Sequence, residues 1–490
     1  MTTSWPTYAE LPTRAAQRWP DRTALTFEHR SWTYRQFDAA VTRVAHHLSQ
    51  AGVSAGTRAL LLMENRPEYL ICQFALARLG AAFSTPNPYW TVHEIRSAVE
   101  SLQATTAIHS ARHRDLAAEY PISVEADDLD IAPGGDITSH APTNPISVDP
   151  DRALCIPFSS GTTGLPKGVV HTHMSLSGGI GQLVTHLDLS ETDRLQVSLP
   201  LCHIFGTSMV GAALSAGASV TLFGRFDYDR CLAQIKADGV TVWPLAGTVA
   251  HRLAQDPGID HGCFPALRCF MWGGSAVPPK LARAVTAKTG VGFLCSYGMT
   301  EAFAVAFNPV RDPTQWLLDS PGFSTVGTHI RLAEDGEIEV KGPCVAASYT
   351  VETARAVDDP FLEGGWFRTG DIGRVDEDGR LWIIDRRKDM IKVSGFQVAP
   401  AEVESELLAH PAIADAAVIG IPDEEHGERV VAFVVAAGPF SVDDLLAEVS
   451  LRLATYKMPS EVVTVENLPR TEAGKLQRAR LRSQYSDQAR

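Results

Sequence analysis

Apolar positions in the first half of the chain alternate between short continuous runs and stretches with helical spacing. Residues 57–63 form a brief, mainly apolar run that predicts a buried strand, Pro67–Arg78 carries apolar side chains at helical intervals, and 80–84 is strand-like again. Further strand-like runs occupy 153–158 and 169–171. Strand and helix in alternation predict α/β units around a largely parallel sheet. A Pro-, Gly- and Ser-rich segment, 131–150, predicts a long surface connection.

Beyond about residue 325 the pattern changes. Asp335-Gly336 and Asp378-Gly379 each stand between alternating runs, 329–332 with 337–340 and 373–375 with 381–384. An Asp-Gly pair tolerates the positive φ angles of tight primed turns, so both predict hairpins in a β-rich lobe. A charged segment from Arg387 leads into a helix at Pro400–Ala409, apolar runs at 416–421 and 430–435, a helix at 442–453 and a strand at 461–465. The expected fold class is therefore α/β. A large multi-lobed domain with mainly parallel sheets and a β-rich lobe spans 1–387, and a small α+β domain of a normal independent size spans 388–490.

Composition narrows the class. The 490 residues are 45% hydrophobic and 20% charged, enough apolar material for large cores and no case for disorder. Lys and Arg total 43 against 57 for Asp and Glu, a net charge of −14 that argues against a nucleic-acid partner. No basic-then-apolar leader opens the chain and no run reaches the roughly 18 apolar residues of a membrane span. Eight scattered cysteines without a CxxC pair read as reduced, buried thiols. A soluble, cytoplasmic protein without a membrane partner is expected.

The chemistry begins at Ser159-Ser160-Gly161-Thr162-Thr163-Gly164-Leu165-Pro166-Lys167-Gly168, between two predicted strands. Glycines let backbone N–H groups approach an anion, hydroxyls add donors, and lysine supplies a point charge, so the loop predicts a phosphate site. It is not a Walker A loop, because Pro166 precedes the lysine and Gly168 follows it. These residues resemble the phosphate loop of the adenylate-forming superfamily of acyl-CoA synthetases, peptide-synthetase adenylation domains and firefly-type luciferases. Matches run in the family's order from Trp32-Thr33-Tyr34 to 469–478, covering essentially the whole chain.

The resemblance implies roles for the other motifs. In Tyr297-Gly298-Met299-Thr300-Glu301 the ring of Tyr297 stacks on adenine, Thr300 meets the α-phosphate and Glu301 holds Mg²⁺. Gly274, Ser275 and Ala276 join this nucleotide set, with Ile383. In Trp366-Phe367-Arg368-Thr369-Gly370-Asp371 the carboxylate of Asp371 accepts from the ribose hydroxyls, and in Asp385-Arg386-Arg387-Lys388-Asp389 Arg386 reaches the ribose while Lys388 is the hinge on which the small domain swings. Pro469-Arg470-Thr471-Glu472-Ala473-Gly474-Lys475 resembles the catalytic-lysine loop, and Lys392 and Gln397 match positions used when a thiol displaces AMP.

Among branches the chain is most similar to 4-coumarate- and medium-chain acyl-CoA ligases, through 85–90 and 200–206, where His203 corresponds to the aromatic gate beside the acyl site. The implied acid pocket comprises His203, Phe205, Trp243, Trp272, Gly273, Ser296 and Gln397. Ser296 stands where the family's glycine opens the acyl tunnel, Trp272 adds bulk, and Ser394 replaces a lysine before Gly395. A small aromatic or short aliphatic acid is expected rather than a long fatty acid. ATP, Mg²⁺ and CoA are the implied co-substrates and cofactor, with His203, Thr162, Lys392 and Lys475 as catalytic candidates. Other acceptors fit the same motifs: a carrier-protein phosphopantetheine, or nitrite activation as in diazotising relatives. A non-catalytic nucleotide-binding protein is the rival of a different class, against which Glu301, Asp371, Arg386 and Lys475 all argue. Nothing in the sequence specifies an oligomeric state.

Overall fold

The alternating runs of the first half become a sheet ordered Ser348–Tyr349, Lys167–Thr172, Ala153–Ser159, Ala82–Thr85, Arg58–Leu62, Thr106–His109, Ile122–Glu125. Its pairs from Ala153–Ser159 onward are parallel, whereas Ala153–Ser159 with Lys167–Thr172 and Lys167–Thr172 with Ser348–Tyr349 are antiparallel. The computed structural model describes the chain except residues 1–4, 136–147, 160–165, 246, 274–277, 351–358, 388, 394–395, 424–426, 471–475 and 489–490, and the side chains of 247, 248, 397, 427 and 486–488. Most of the predicted connection 131–150 therefore lies outside the described residues.

Two compact units emerge, 1–329 with 340–367 and 330–339 with 368–490. In the first, a further set of parallel strands includes Thr23–Phe27, Ser219–Leu222, Arg194–Val197, Val242–Leu245, Cys269–Trp272 and Phe293–Met299. The helix Pro67–Arg78 has the predicted limits, but every one of its residues is buried, Glu68, Gln73 and Arg78 included. Gln73 bonds Tyr8 and Thr207 and Arg78 bonds Thr42, Thr13 and Asp38, which is how polar groups survive there.

In the second unit both Asp-Gly hairpins exist with a different turn from the primed one expected. Gly336 and Gly379 have φ of +80° and +85°, while their aspartates are not in the left-handed region. Gly336 N donates to Ala333 O at 2.9 Å and Gly379 N to Asp376 O at 3.0 Å, three-residue loops with glycine in the last place. Farther along, Gly427–Ala436 pairs with Ile413–Asp423 and Glu461–Thr464. Val418, Val430, Ala432 and Val434 enter one core with Val403 and Leu445, and Ala417, Ile419, Val431 and Phe433 enter another with Leu468 and Leu481. Both faces are covered, so these strands read as continuous apolar runs. The second helix stops at Ser450, short of the predicted limit, and Leu451 is 83% exposed.

All eight cysteines are free and buried. Burial raises the Cys231 and Cys344 thiols to about 11 and those of Cys269 and Cys295 to about 12. Among the described residues no helix is long and apolar enough to cross a membrane.

Candidate active site

The phosphate-loop stretch joins the two strands of an antiparallel hairpin, with Ser159 opposite Lys167 and Phe158 opposite Gly168. Both ends of the loop are thus fixed at one point of the sheet; Ser160, Gly161, Thr162, Thr163 and Gly164 lie outside the described residues. Gly168 is required by packing, since a Cβ there would stand 2.8 Å from Thr350 Oγ1 and 3.1 Å from Ile156.

The next segment along the site, Tyr297 to Glu301, ends one strand and turns into Ala302–Phe307, with Tyr297 opposite Ala306 and Met299 opposite Ala302. Residues 296–300 are half-buried, where the strand leaves the core. His171, on the phosphate-loop hairpin, ties this turn down. Its Nε2 lies 2.8 Å from Thr300 O and its Nδ1 3.1 Å from Ser175 Oγ. A carbonyl can only accept, so Nε2 carries the proton and Nδ1 accepts from the serine. Burial lowers His171 to about 4, which keeps the ring neutral, and Phe303 packs on it edge to face at 5.5 Å.

Glu301 is 8% exposed. Tyr349 donates to its Oε1 at 2.9 Å, and Ala346 N donates to its backbone carbonyl at 2.8 Å. The Lys167 ammonium lies 5.4 Å from the centre of the same tyrosine ring. Among the described residues no three His, Cys, Asp or Glu side chains cluster as a metal cage. A carboxylate with a neutral donor suits a hard cation that takes its other oxygens from phosphate and water, so the residues present fit Mg²⁺. Tyr349 and His171 were not flagged by sequence motifs; Tyr349 is 48 positions from Glu301 and stands on a two-residue strand.

Of the acid-pocket candidates, His203, Phe205, Trp243, Trp272, Gly273 and Ser296 belong to this first unit, whereas Gln397 belongs to the second. Asn65 holds the loop before His203, accepting from Leu201 N at 2.7 Å and donating to Leu199 O at 2.8 Å. His203 is the exposed N-cap of helix Ile204–Ala216, and two residues on, Phe205 lies against Gly273, where a Cβ would come within 3.2 Å of its ring. Ser296 donates to Trp272 O at 3.2 Å, which turns its hydroxyl to backbone. Trp272 is 2% exposed and packs edge to face on Phe293. Trp243 is enclosed by Phe264 and Phe270 in the same hydrophobic cluster. Gly274, Ser275 and Ala276 lie outside the described residues.

In the second unit Asp371 is paired with Arg386 across adjacent strands, with Arg386 Nε 3.4 Å from Asp371 Oδ1. Ile383 sits opposite Gly373 on the same ladder. Beneath them Glu337, unanticipated by motif, accepts from Gly370 N at 2.9 Å, Arg387 Nη1 at 2.9 Å and Arg368 Nη2 at 2.7 Å. Thr369 Oγ1 donates to Ile338 O and accepts from Asp371 N, which fixes the acidic residue's backbone. Lys392 and Gln397 are cross-strand partners in a hairpin; Lys392 is exposed, and the Gln397 side chain lies outside the description. Lys388 and Lys475 are also outside it. The described residues flanking Lys475 are anchored: Arg470 bridges Leu476 and pairs with Asp415 at 2.9 Å, and Arg478 pairs with Glu404 at 2.7 Å.

Comparison with known proteins groups the chain sharply. A family model described as AMP-binding enzyme matches residues 12–350, and one described as AMP-binding enzyme C-terminal domain matches 402–475. The chain is 34% identical to a feruloyl-CoA synthase of an Amycolatopsis species, covering 97% of this chain and 98% of that one. It is 31% identical to 4-coumarate–CoA ligase 3 of Oryza sativa subsp. japonica, covering 93% and 88%. ATP-bound MatB from Rhodopseudomonas palustris is similar in structure with a TM-score of 0.89 at 29% identity, covering 98% of this chain and 100% of that one. The o-succinylbenzoate CoA synthetase MenE of Bacillus subtilis, in complex with the acyl-adenylate OSB-AMP, gives 0.82 at 29% identity, covering 98% of each.

Proposed function

We infer the activity from one premise: the chain belongs to the AMP-binding enzyme family. It is an ATP-dependent, AMP-forming acid–CoA ligase. The substrate carboxylate attacks the α-phosphorus of ATP, forming the acyl–O–P bond as the bond to pyrophosphate breaks. The CoA thiol, losing its proton, then attacks the acyl carbon and AMP leaves. Phosphoryl transfer asks the protein mainly for positioning and charge.

The observation that carries the assignment of residues is Glu301, a buried carboxylate bonded by a neutral phenol beside the hairpin that bears the Gly/Thr loop. The loop 159–164, with Thr162 and Thr163, and Lys167 hold the outer phosphates, and Thr300 meets the α-phosphate. Tyr297, with Gly298 and Met299 behind it and Gly274, Ser275 and Ala276 alongside, forms the adenine site. Asp371 and Arg386 take the ribose, with Ile383 beside the nucleotide. Glu301 would hold Mg²⁺, which when bound would supply neutralisation of phosphate charge. Lys475 contacts the carboxylate and the α-phosphate, stabilising charge that develops between them. Lys388 is the hinge, and Lys392 and Gln397 serve thiol transfer.

The acid is a small aromatic or short one. The close approach of Phe205 to Gly273 and the bond of Ser296 to Trp272 O support this reading. Coumarate, ferulate and o-succinylbenzoate, the acids in the relatives' names, are aromatic carboxylates. The test is mass spectrometry of reactions with MgATP and a panel of acids, plus nitrite with aromatic amines, each with and without CoA. AMP and acyl-CoA that require both acid and CoA are expected; an adenylate with no CoA product would move the acceptor to a carrier protein or another nucleophile. Lys475→Ala should abolish pyrophosphate release while ATP binding persists, and Lys392→Ala should slow thioester formation more than adenylation.

A further inference from the structure

We propose that Tyr349 is the positioning residue of the site, a spacer that holds the Glu301 carboxylate while keeping it from pairing with Lys167. This rests on the reading of Glu301 as the Mg²⁺ ligand and Lys167 as a phosphate contact. The lysine meets the face of the tyrosine ring, 5.4 Å from its centre, and the carboxylate meets the hydroxyl at 2.9 Å. One side chain therefore engages both groups, the lysine through its ring and the carboxylate through its hydroxyl. Left to themselves, a lysine and a glutamate at such a site would form an ion pair, and each ligand would have to break it before binding. With the ring interposed, the cation stays available to polyphosphate and the anion to a divalent metal.

The spacer is built rather than incidental. Tyr349 is registered opposite Val169 on the edge strand beside the phosphate-loop hairpin. Its neighbours lock that strand: Ala347 N donates to Val170 O at 2.8 Å, Thr350 N to Gly168 O at 2.9 Å, and Ser101 Oγ to Thr350 Oγ1 at 3.2 Å. Phe361 supports the ring edge to face at 5.3 Å. The hydroxyl of a tyrosine is an uncharged donor, and here it donates to the carboxylate. A neutral donor orients the carboxylate without cancelling its charge, which an arginine in the same place would do.

Calorimetry of ATP binding, with excess Mg²⁺ and again in EDTA, separates the two functions of the side chain. Tyr349→Phe keeps the ring and loses the hydroxyl: affinity for MgATP should fall about tenfold, the scale of one hydrogen bond to a charged group, with metal-free ATP affinity held within about twofold. Tyr349→Ala removes the spacer, and both affinities should fall. Ser101→Ala loosens the same strand away from both charges and should leave the ratio of the two affinities unchanged. Equal losses in the phenylalanine variant, or none, would overturn the proposal. Should the alanine variant fail to fold, the wild-type chain carrying 3-fluorotyrosine at position 349 alone gives a second reading. Mn²⁺ with ATP should broaden its fluorine resonance, and an unbroadened line would overturn the proposal. A wild-type chain with no affinity for ATP would overturn the ligase reading as well, whereas normal ATP binding with an unchanged ratio in Tyr349→Phe sinks the spacer alone.

Discussion

Two buried glutamates, one in each unit, meet opposite surroundings. Glu337 is 2% exposed and its carboxylate collects two guanidinium groups and a backbone N–H. Glu301 is 8% exposed, and the donor to its carboxylate is a neutral phenol. The first has its charge matched inside the protein, and the match fixes the backbone around Gly370 and Asp371. The second meets, among the described residues, only a neutral donor, in a place where desolvation makes an unmatched charge costly. Burial alone therefore does not separate a structural carboxylate from one that serves a ligand; the partner's charge does.

The comparison can be broken by substitution. Glu337→Ala should have the largest effect on stability, about 2–3 kcal/mol, because it leaves Gly370 N–H without an acceptor and the two arginines with only their longer contacts to Asp335 and Glu339. Chemical denaturation of the second unit measures it; a change under about 1 kcal/mol would remove Glu337 from its structural role. Glu301→Gln should reverse the pattern, with pyrophosphate release reduced about a hundredfold while the unfolding midpoint moves little. A large stability loss without a rate loss would make the two glutamates alike.

A third experiment sharpens the neutral side of the contrast. His171 titrates near 4 in the folded protein against an ordinary 6.5, through burial. Between those values the unfolded chain binds more protons, so the stability present above pH 6.5 is lost as pH falls toward 4. From pH 6.5 to 5 this amounts to about 2 kcal/mol for one such group. His171→Leu should flatten that slope relative to wild type, leaving the parts due to His173, which burial also lowers to about 4, and to His113 and His186, which burial lowers as well. An unchanged slope would mean the ring is charged in the fold. The smallest effect belongs to Arg387→Ala: its side chain is 51% exposed and Arg368 still serves Glu337, so a loss below about 1 kcal/mol is expected.

Legibility in the sequence followed the range of the interactions. The helix Pro67–Arg78, the helix Pro400–Ala409 and both Asp-Gly hairpins are local events, and periodicity or turn chemistry located them. The turn type was missed because the aspartates keep ordinary φ and glycine alone supplies the left-handed residue. At the site, contiguous motifs pointed to Lys167, Thr300 and Glu301, but not to Tyr349, His171 or Glu337. Each of those acts across strands far apart in the chain: Tyr349 on Glu301, His171 on Thr300, Glu337 on Gly370. A strand's pattern of apolar and polar residues says which face a side chain occupies and nothing about the residue that will lie opposite it.

The eight buried cysteines have a meaning for an enzyme whose product is a thioester. An acyl-adenylate is open to attack by any thiolate, and the chain must leave that reaction to CoA. A thiol held at about 12, as in Cys269 and Cys295, is ionised to roughly one part in 10⁵ at pH 7, and it is enclosed as well. Cys295 immediately precedes Ser296 and Cys202 immediately precedes His203, so two internal rivals each stand one residue from a proposed acid-site residue, and both are buried. Packing here serves as chemical discretion: the protein's own sulfur is kept out of a competition that its substrate's sulfur is meant to win.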